Sequence, residues 1–185
     1  MEFLTELWLP ILLSAVFVFI VSSVIHMALP IHKSDYKKMN NEEAVLEAMR
    51  SSDVEPGAYM FPCAGSMKEL GTPEMVAKLE KGPVGWMTVL PAGGFNIGKS
   101  LVQWFIFSLI VGALSAYVGW HGLGAGADYL DVFRLTGTAA ILGYAIGNIA
   151  ESIWRGQRWG TTLKFIIDGI IYGLVTAGTF GWLWP

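Results

Sequence analysis

A polar stripe in an otherwise apolar stretch carries the most chemistry in this chain. Lys164, Asp168, Tyr172 and Thr176 recur every fourth residue, and residues four apart lie on one face of an α-helix. A carboxylate within a membrane-spanning helix costs about 3 kcal/mol to insert unless it is paired or neutral. We therefore expect Asp168 to face neighbouring helices and not lipid.

Further polar residues are predicted to lie at the same depth on other helices. The preceding apolar stretch runs in the opposite direction and carries Tyr144, Asn148, Glu151 and Ser152. An earlier stretch carries Gln103 one turn from its start. The sequence thus predicts one intramembrane polar cluster, composed of Asp168, Lys164, Glu151, Asn148, Tyr172 and Gln103.

Asp168 has two interpretations. It could form an i,i+4 ion pair with Lys164, extended by Glu151 and Asn148, that locks two helices together. It could instead be a proton-binding or ion-binding carboxylate in a cavity open to the cytoplasm. A nearby ammonium keeps a carboxylate ionised, so the sequence favours the ion pair.

Other site chemistry is not predicted. The three histidines are His26, His32 and His121, of which the last belongs to the opposite side of the predicted membrane. We therefore predict no metal site, no cofactor and no catalytic residue, and we interpret His26 as an interfacial side chain. Cys63 is the single cysteine, which excludes an intramolecular disulfide and offers no paired thiol.

Residues 93–100 match the phosphate-loop pattern G-x-x-x-x-G-K-[ST]. A working phosphate loop lies between a strand and a helix of a parallel α/β sheet, where backbone N–H groups surround the phosphates. Too few residues lie outside the apolar stretches to build that sheet. We predict that the match is fortuitous, with the glycines turning the chain into the membrane and Lys99 anchoring the next helix.

The elements that must position these residues are four apolar stretches: Leu7–Leu29, Ser100–Trp120, Val132–Ile153 and Thr161–Trp184. Each approaches the ~20 residues that a helix needs to cross the hydrocarbon core. The chain is 54% hydrophobic and 15% charged, which excludes an ordinary soluble domain. The sequence predicts an all-α integral membrane protein with four transmembrane helices and a mainly helical and turn-containing cytoplasmic segment between helices 1 and 2.

The distribution of basic residues predicts the orientation. Eleven of the twelve Lys and Arg residues fall on one side of this four-span pattern, and Arg134 is the exception. By the positive-inside rule both termini are outside. The predicted organisation is a first transmembrane helix in residues 1–30, a cytoplasmic segment in residues 31–97 and a three-helix region in residues 98–185. The predicted location is a bacterial inner (plasma) membrane.

The predicted cytoplasmic segment contains signals for short helices. Asn40 and Asn41 precede acidic residues that begin a helix ending near Arg50. Thr72 and Pro73 begin a second, which Lys81-Gly82-Pro83 ends. Apolar runs at residues 59–63 and 86–91 predict packing against the membrane surface, the helix ends or a partner.

Small residues repeat every fourth position in the last two spans. Membrane helices associate where such residues let their backbones approach closely. We predict that spans three and four pack as an antiparallel hairpin over these ridges. The ridge residues are Ala139, Gly143 and Gly147 in the third span and Gly169, Gly173, Ala177 and Gly181 in the fourth.

Two functions remain compatible with these patterns. The first is a non-catalytic accessory, assembly or scaffold subunit of a membrane complex, with the bilayer and other subunits or further copies of itself as partners. The alternative is a small oligomeric transporter or proton-coupled permease that uses Asp168 and its neighbours. A membrane enzyme is less compatible, because no nucleophile set or metal-ligand set is evident. The net charge of −3 argues against nucleic acid as a partner.

Overall fold

The computed structural model describes residues 2–94 and 96–185. In these residues four helices are long and apolar enough to cross a membrane: Trp8–Ala28, Ile97–Gly122, Tyr129–Arg155 and Trp159–Leu183. The predicted span ends differ from these by at most three residues. The predicted class, an all-α integral membrane protein, is confirmed.

The helices follow one another in this order: α1 (Glu2–Glu6), α2 (Trp8–Ser23), α3 (Glu42–Ser51), α4 (Met67–Leu70), α5 (Pro73–Lys81), α6 (Ile97–Gly122), α7 (Tyr129–Tyr144), α8 (Ile149–Arg155) and α9 (Trp159–Leu183). Two strands, β1 (Gly57–Phe61) and β2 (Gly85–Val89), flank α4 and α5. A π-helical turn, Val24–Ala28, continues α2 and is followed by a 3-10 turn, Pro30–His32. A second 3-10 turn, Ile146–Asn148, joins α7 to α8 within the third span.

The chain forms two compact units. The helical unit comprises Met1–Tyr36 and Ile97–Pro185, and the smaller unit comprises Lys37–Asn96. Residues 31–36, predicted to begin the cytoplasmic segment, thus belong to the helical unit. His32 and Asp35 lie in that stretch and are therefore part of the helical unit.

Within the helical unit, α9 packs along α7 in the most extensive helix contact, while α2 packs on both α6 and α9. Apolar side chains form two core clusters along these contacts. One contains Val18, Ile25, Val111, Ala140, Tyr144 and Tyr172, and the other contains Leu7, Ile11, Ala116, Val132 and Phe180.

Small residues of α9 lie where α7 approaches most closely. A Cβ added at Gly169 would lie 2.7 Å from the Cα of Ala145, and one at Gly173 would lie 3.0 Å from the backbone nitrogen of Ile141. Ala177 is fully buried. A Cβ at Gly181 would meet the ring of Tyr129 at 2.7 Å. The α7 and α9 backbones therefore approach over a ridge that admits no larger side chain.

The third-span ridge differs from its prediction. Gly143 faces Val111 of α6 at 3.1 Å and not α9. Gly147 has no described atom within 4 Å of the position that a Cβ would take. The 3-10 turn Ile146–Asn148 accounts for Gly147, because it ends the four-residue repeat that α7 would otherwise continue. The α7 residues that meet α9 closely are Gly137 and Ile141 instead.

The smaller unit contains the predicted helices and one hairpin. The prediction that Thr72 caps a helix beginning at Pro73 is confirmed, because the Thr72 side chain accepts a hydrogen bond from the backbone N–H of Met75. Strands β1 and β2 pair antiparallel, with Tyr59 opposite Met87. Most of this hairpin was not predicted, because 23 residues separate the two strands and no short turn signal marks their pairing.

The phosphate-loop-like residues follow β2 and extend into the first turn of α6. The two-stranded sheet is antiparallel, and α6 already begins at Ile97, so Gly98, Lys99 and Ser100 lie within its first turn. Phe95 lies outside the described residues. This context differs from the parallel strand, loop and helix arrangement in which such a loop binds phosphate.

Candidate functional site

The chain folds back on itself at the end of the first span. In the π turn the N–H of Leu29 bonds the carbonyl of Val24 at 3.1 Å, which places one extra residue in the turn. Leu29 is then extended, as is usual for a residue before proline. The following 3-10 turn returns His32 toward His26. The two imidazole rings stack with centroids 4.3 Å apart and planes inclined by 28°.

Asp168, in the third turn of α9, faces these two rings. Its Oδ2 atom lies 2.9 Å from Nε2 of His32 and 3.8 Å from Nε2 of His26. The Asp168 side chain is 6% exposed and that of His32 is 12% exposed. Phe165, three residues earlier on the same helix, stacks on His32 with centroids 5.2 Å apart. The ring of Phe165 thereby restricts how the imidazoles can turn.

Lys164 binds a different carboxylate from the one that was predicted. Its Nζ atom donates to Oδ1 of Asp35 at 2.6 Å, to the carbonyl of Ile31 at 2.7 Å and to Oγ of Ser34 at 3.0 Å. An ammonium group has three N–H donors, and these three acceptors match that number.

The predicted Lys164–Asp168 ion pair is therefore wrong. Side chains of a helix tilt toward its N-terminus, so Lys164 points away from Asp168 and toward the start of α9. Lysine preceding the acid is also the weaker order for an i,i+4 pair. The folded-back residues 31–35 supply acceptors where Lys164 points, and Asp35 takes the role that was assigned to Asp168.

Asp35 connects the ammonium to the histidines. Its Oδ2 atom lies 2.6 Å from Nδ1 of His32. Burial alone would raise the pKa of Asp35, but hydrogen bonds from Lys164 and His32 outweigh it and hold the pKa below its ordinary value. These hydrogen bonds favour the ionised carboxylate of Asp35, which accepts hydrogen bonds and cannot donate them.

The contact with Asp35 indicates which ring nitrogen of His32 donates. Because Asp35 accepts, Nδ1 of His32 carries a hydrogen, and a neutral ring would then present a lone pair at Nε2. That lone pair would face Oδ2 of Asp168 across 2.9 Å. Both atoms are buried and neither has a hydrogen-bond partner among the described residues. Two acceptors this close require a positive charge between them, which a proton or a metal ion can supply.

The other residues of the predicted polar cluster lie elsewhere. Asn148 donates to the backbone carbonyls of Tyr144 and Ala145. Glu151 pairs with Arg155 at 3.6 Å on an exposed surface, and Gln103 is exposed. The 3-10 turn that follows α7 interrupts the regular helical repeat from which Glu151 was assigned to the same cluster as Asp168.

Tyr172 remains inside the bundle. It is buried against Tyr144 and Trp104, at centroid distances of 5.7 and 5.8 Å. Its hydroxyl has no hydrogen-bond partner in the part of the chain that the structure describes. The predicted stripe on α9 therefore exists as a buried face, with Asp168, Tyr172 and Thr176 pointing into the unit.

His26, His32 and Asp35 were missed as site residues. The sequence predicts the two histidines near the end of the first span and Asp168 near the start of the fourth, on the same side of the predicted membrane, so their predicted depths were compatible. The missing information was the π turn, because no local pattern predicts the extra residue that brings His26 beside His32.

Fold and site together define a multi-pass helical membrane protein with a buried carboxylate facing two imidazoles. No protein-family model, curated protein or solved structure matches this chain.

Proposed function

We propose that this protein is a small cation permease that works as an oligomer and binds its cation at Asp168. One observation carries the proposal: the buried Asp168 carboxylate faces imidazole nitrogens, while Lys164 is bound to Asp35. A lysine paired with Asp168 would have neutralised it permanently. Without that pairing, the carboxylate is free to attract a mobile positive charge.

The charges of the site support a cation. Asp35 and Asp168 contribute two negative charges, and Lys164 contributes one positive charge when both histidines are neutral. One negative charge then remains in a largely buried cluster. An uncompensated buried charge is strongly unfavourable, so the cluster favours binding of one further cation.

Breaks in the spans and polar groups in the core support transport. The first span ends in a π turn and the third is interrupted by a 3-10 turn. Interrupted membrane helices commonly form the ion sites of transporters. Six hydroxyl side chains are fully buried in the described part of the helical unit, those of Ser14, Ser108, Ser115, Thr136, Thr162 and Thr176. Since the four spans show no repeated half, we assign the pathway to an oligomer.

The orientation is part of this proposal. The distribution of basic residues favours a cytoplasmic location for residues 31–97 with both termini outside, and we assign the chain to a bacterial inner membrane. The exposed thiol of Cys63 offers a direct test. A membrane-impermeant thiol reagent should label Cys63 in inverted vesicles and not in intact cells. Labelling in intact cells would reverse the orientation.

Ion flux into liposomes that contain the purified protein tests the permease. We expect one cation from a panel of protons, alkali ions and divalent ions to cross, and Asp168→Asn to abolish that flux. The matched control is Asp131→Asn, because Asp131 is an exposed acid paired with Arg134 at 3.5 Å. No flux of any cation by the wild type, or equal flux by wild type and Asp168→Asn, would refute the proposal.

The smaller unit favours a second candidate, an accessory or scaffold subunit. Val84, Trp86 and Leu90 are each more than half exposed around β2, and exposed apolar patches often mark protein contacts. A stable heteromeric complex purified in mild detergent, and lost on Trp86→Ser, would support this function. A homo-oligomer unaffected by that substitution would contradict it.

A further inference from the structure

We propose that the cation bound at this site is a divalent transition-metal ion, held by Nε2 of His26, Nε2 of His32 and Oδ2 of Asp168. The inference deepens the proposed permease, since it names the ion class at the same carboxylate. One ligand atom from each of these residues lies within 4.8 Å of the others. They come from two separate parts of the chain that α9 and the folded-back turn bring together.

The spacing of the ligand atoms suits such an ion. Zinc binds nitrogen and oxygen ligands at about 2.0–2.1 Å, which puts ligand atoms of a tetrahedral site about 3.3 Å apart. The two distances from Asp168 Oδ2 are 2.9 and 3.8 Å, one on each side of that value. Binding of one ion by all three atoms requires the two stacked imidazoles to turn until both Nε2 lone pairs point at it.

The donor types select the class of ion. Imidazole nitrogen suits zinc, copper, iron and nickel, whereas magnesium and calcium prefer carboxylate, carbonyl and water oxygens. Two imidazoles and one carboxylate thus favour a transition metal. Three protein ligands also leave a fourth position open, as in sites that exchange a ligand. An exchangeable position is what a transported ion requires.

The surroundings of His32 match those of a metal ligand. Metal-binding histidines usually donate their other ring N–H to a carboxylate, which fixes the tautomer and orients the ring. His32 does this through Nδ1 and Asp35, and Lys164 in turn holds Asp35. The buried and unpartnered Nε2 and Oδ2 atoms that remain are the two that would bind the ion.

His26 distinguishes a metal from a proton. Its side chain is 38% exposed, the largest exposure among the three ligands. A proton on His32, shared between Asp35 and Asp168, would balance the same charge without help from His26. A metal ion needs His26 as its third ligand. Removal of the His26 ring therefore affects metal binding and leaves a shared proton in place.

The experiment measures metal binding to the full chain, purified through a tag without histidines and stripped with a chelator. Zn²⁺ is titrated by calorimetry, and Co²⁺ is titrated by its visible absorption, which is intense in tetrahedral sites. We expect one ion per chain. His26→Ala, His32→Ala and Asp168→Asn should each weaken binding at least about tenfold, and Asp35→Asn about 10- to 100-fold as a residue that orients a ligand. His121→Ala is the matched control. His121 lies in the last turn of α6 and is not one of the three ligands, so this variant should bind Zn²⁺ as the wild type does.

Two results would overturn the inference: a folded wild type that binds no Zn²⁺, or a His26→Ala variant that binds Zn²⁺ as tightly as the wild type. Helical circular dichroism and a single gel-filtration peak establish folding, and His32→Gln replaces His32→Ala if the latter misfolds. Failure here is distinguishable from failure of the permease. Flux of another cation without Zn²⁺ binding refutes this inference alone, whereas Zn²⁺ binding without flux refutes the permease alone.

Discussion

Gly173→Ala tests whether α7 and α9 touch through their backbones. A Cβ at Gly173 would lie 3.0 Å from the backbone nitrogen of Ile141 and 3.2 Å from its Cα, and would also collide with its Cγ1 atom. Backbone atoms move only if the helices separate. Forcing one extra carbon into a packed contact costs about 1–3 kcal/mol.

Gly178→Ala is the matched control on the same helix. The nearest described atom to a Cβ at Gly178 is the hydroxyl oxygen of Tyr129, at 3.8 Å, which is an ordinary contact. Both substitutions gain about 0.5–1 kcal/mol because alanine forms helix better than glycine. That gain cancels in the comparison. The difference in unfolding free energy between the two variants therefore reports the collision alone, about 1–3 kcal/mol.

Reversible unfolding by a denaturing detergent in mixed micelles measures this difference, with helical circular dichroism as the signal. We expect Gly173→Ala to unfold at the same denaturant fraction as the wild type or at a lower one, because the cost of the collision equals or exceeds the gain in helix propensity. Gly178→Ala should equal or exceed the wild type. Equal stability of the two variants would refute the close approach of α7 and α9 at Gly173.

Two further predictions concern polar contacts of the helical unit. Lys164→Met should lower the unfolding free energy by about 2–3 kcal/mol, because it takes the ammonium away from the buried Asp35 carboxylate, although the 27% exposure of Lys164 moderates the loss. Adding Asp35→Asn should restore most of this stability, and an interaction energy near zero in the double-mutant cycle would contradict the pairing. Trp104→Phe removes the hydrogen bond from Nε1 to Oγ of Ser22, at 2.9 Å, and should cost about 1 kcal/mol. Ser22→Ala on top of it should then change unfolding little, whereas a full additional loss would mean that the bond is absent.

Much of the fold was predictable because it depends on long apolar runs. Twenty or so apolar residues identify a span by length and composition alone, and the four predicted spans match the structure closely. The Thr72 cap was predictable for a similar reason, since its signal lies within four consecutive residues. The hairpin of Gly57–Phe61 with Gly85–Val89 depends on pairing across a long insertion, which no local pattern encodes.

The site was only partly predictable. Asp168 was identified because a carboxylate within an apolar helix is unusual and must be neutralised. Its partners were assigned from helical periodicity, and that assumption failed where the helices are irregular. The π turn at Val24–Ala28 and the 3-10 turn at Ile146–Asn148 each change which face a residue presents. The π turn brings His26 and His32 to Asp168. The 3-10 turn changes the face that Glu151 presents, and Glu151 pairs with Arg155 instead.

X-ray absorption at the zinc edge of the Zn²⁺-loaded full chain reports the ligands of the bound ion. We expect one zinc ion per chain with two imidazole nitrogens and one carboxylate oxygen in its coordination shell, at about 2.0–2.2 Å. We also expect His26→Ala to remove one imidazole from the shell. A shell of water oxygens, a sulfur ligand from Cys63, or an unchanged spectrum in His26→Ala would contradict the proposed three-ligand site.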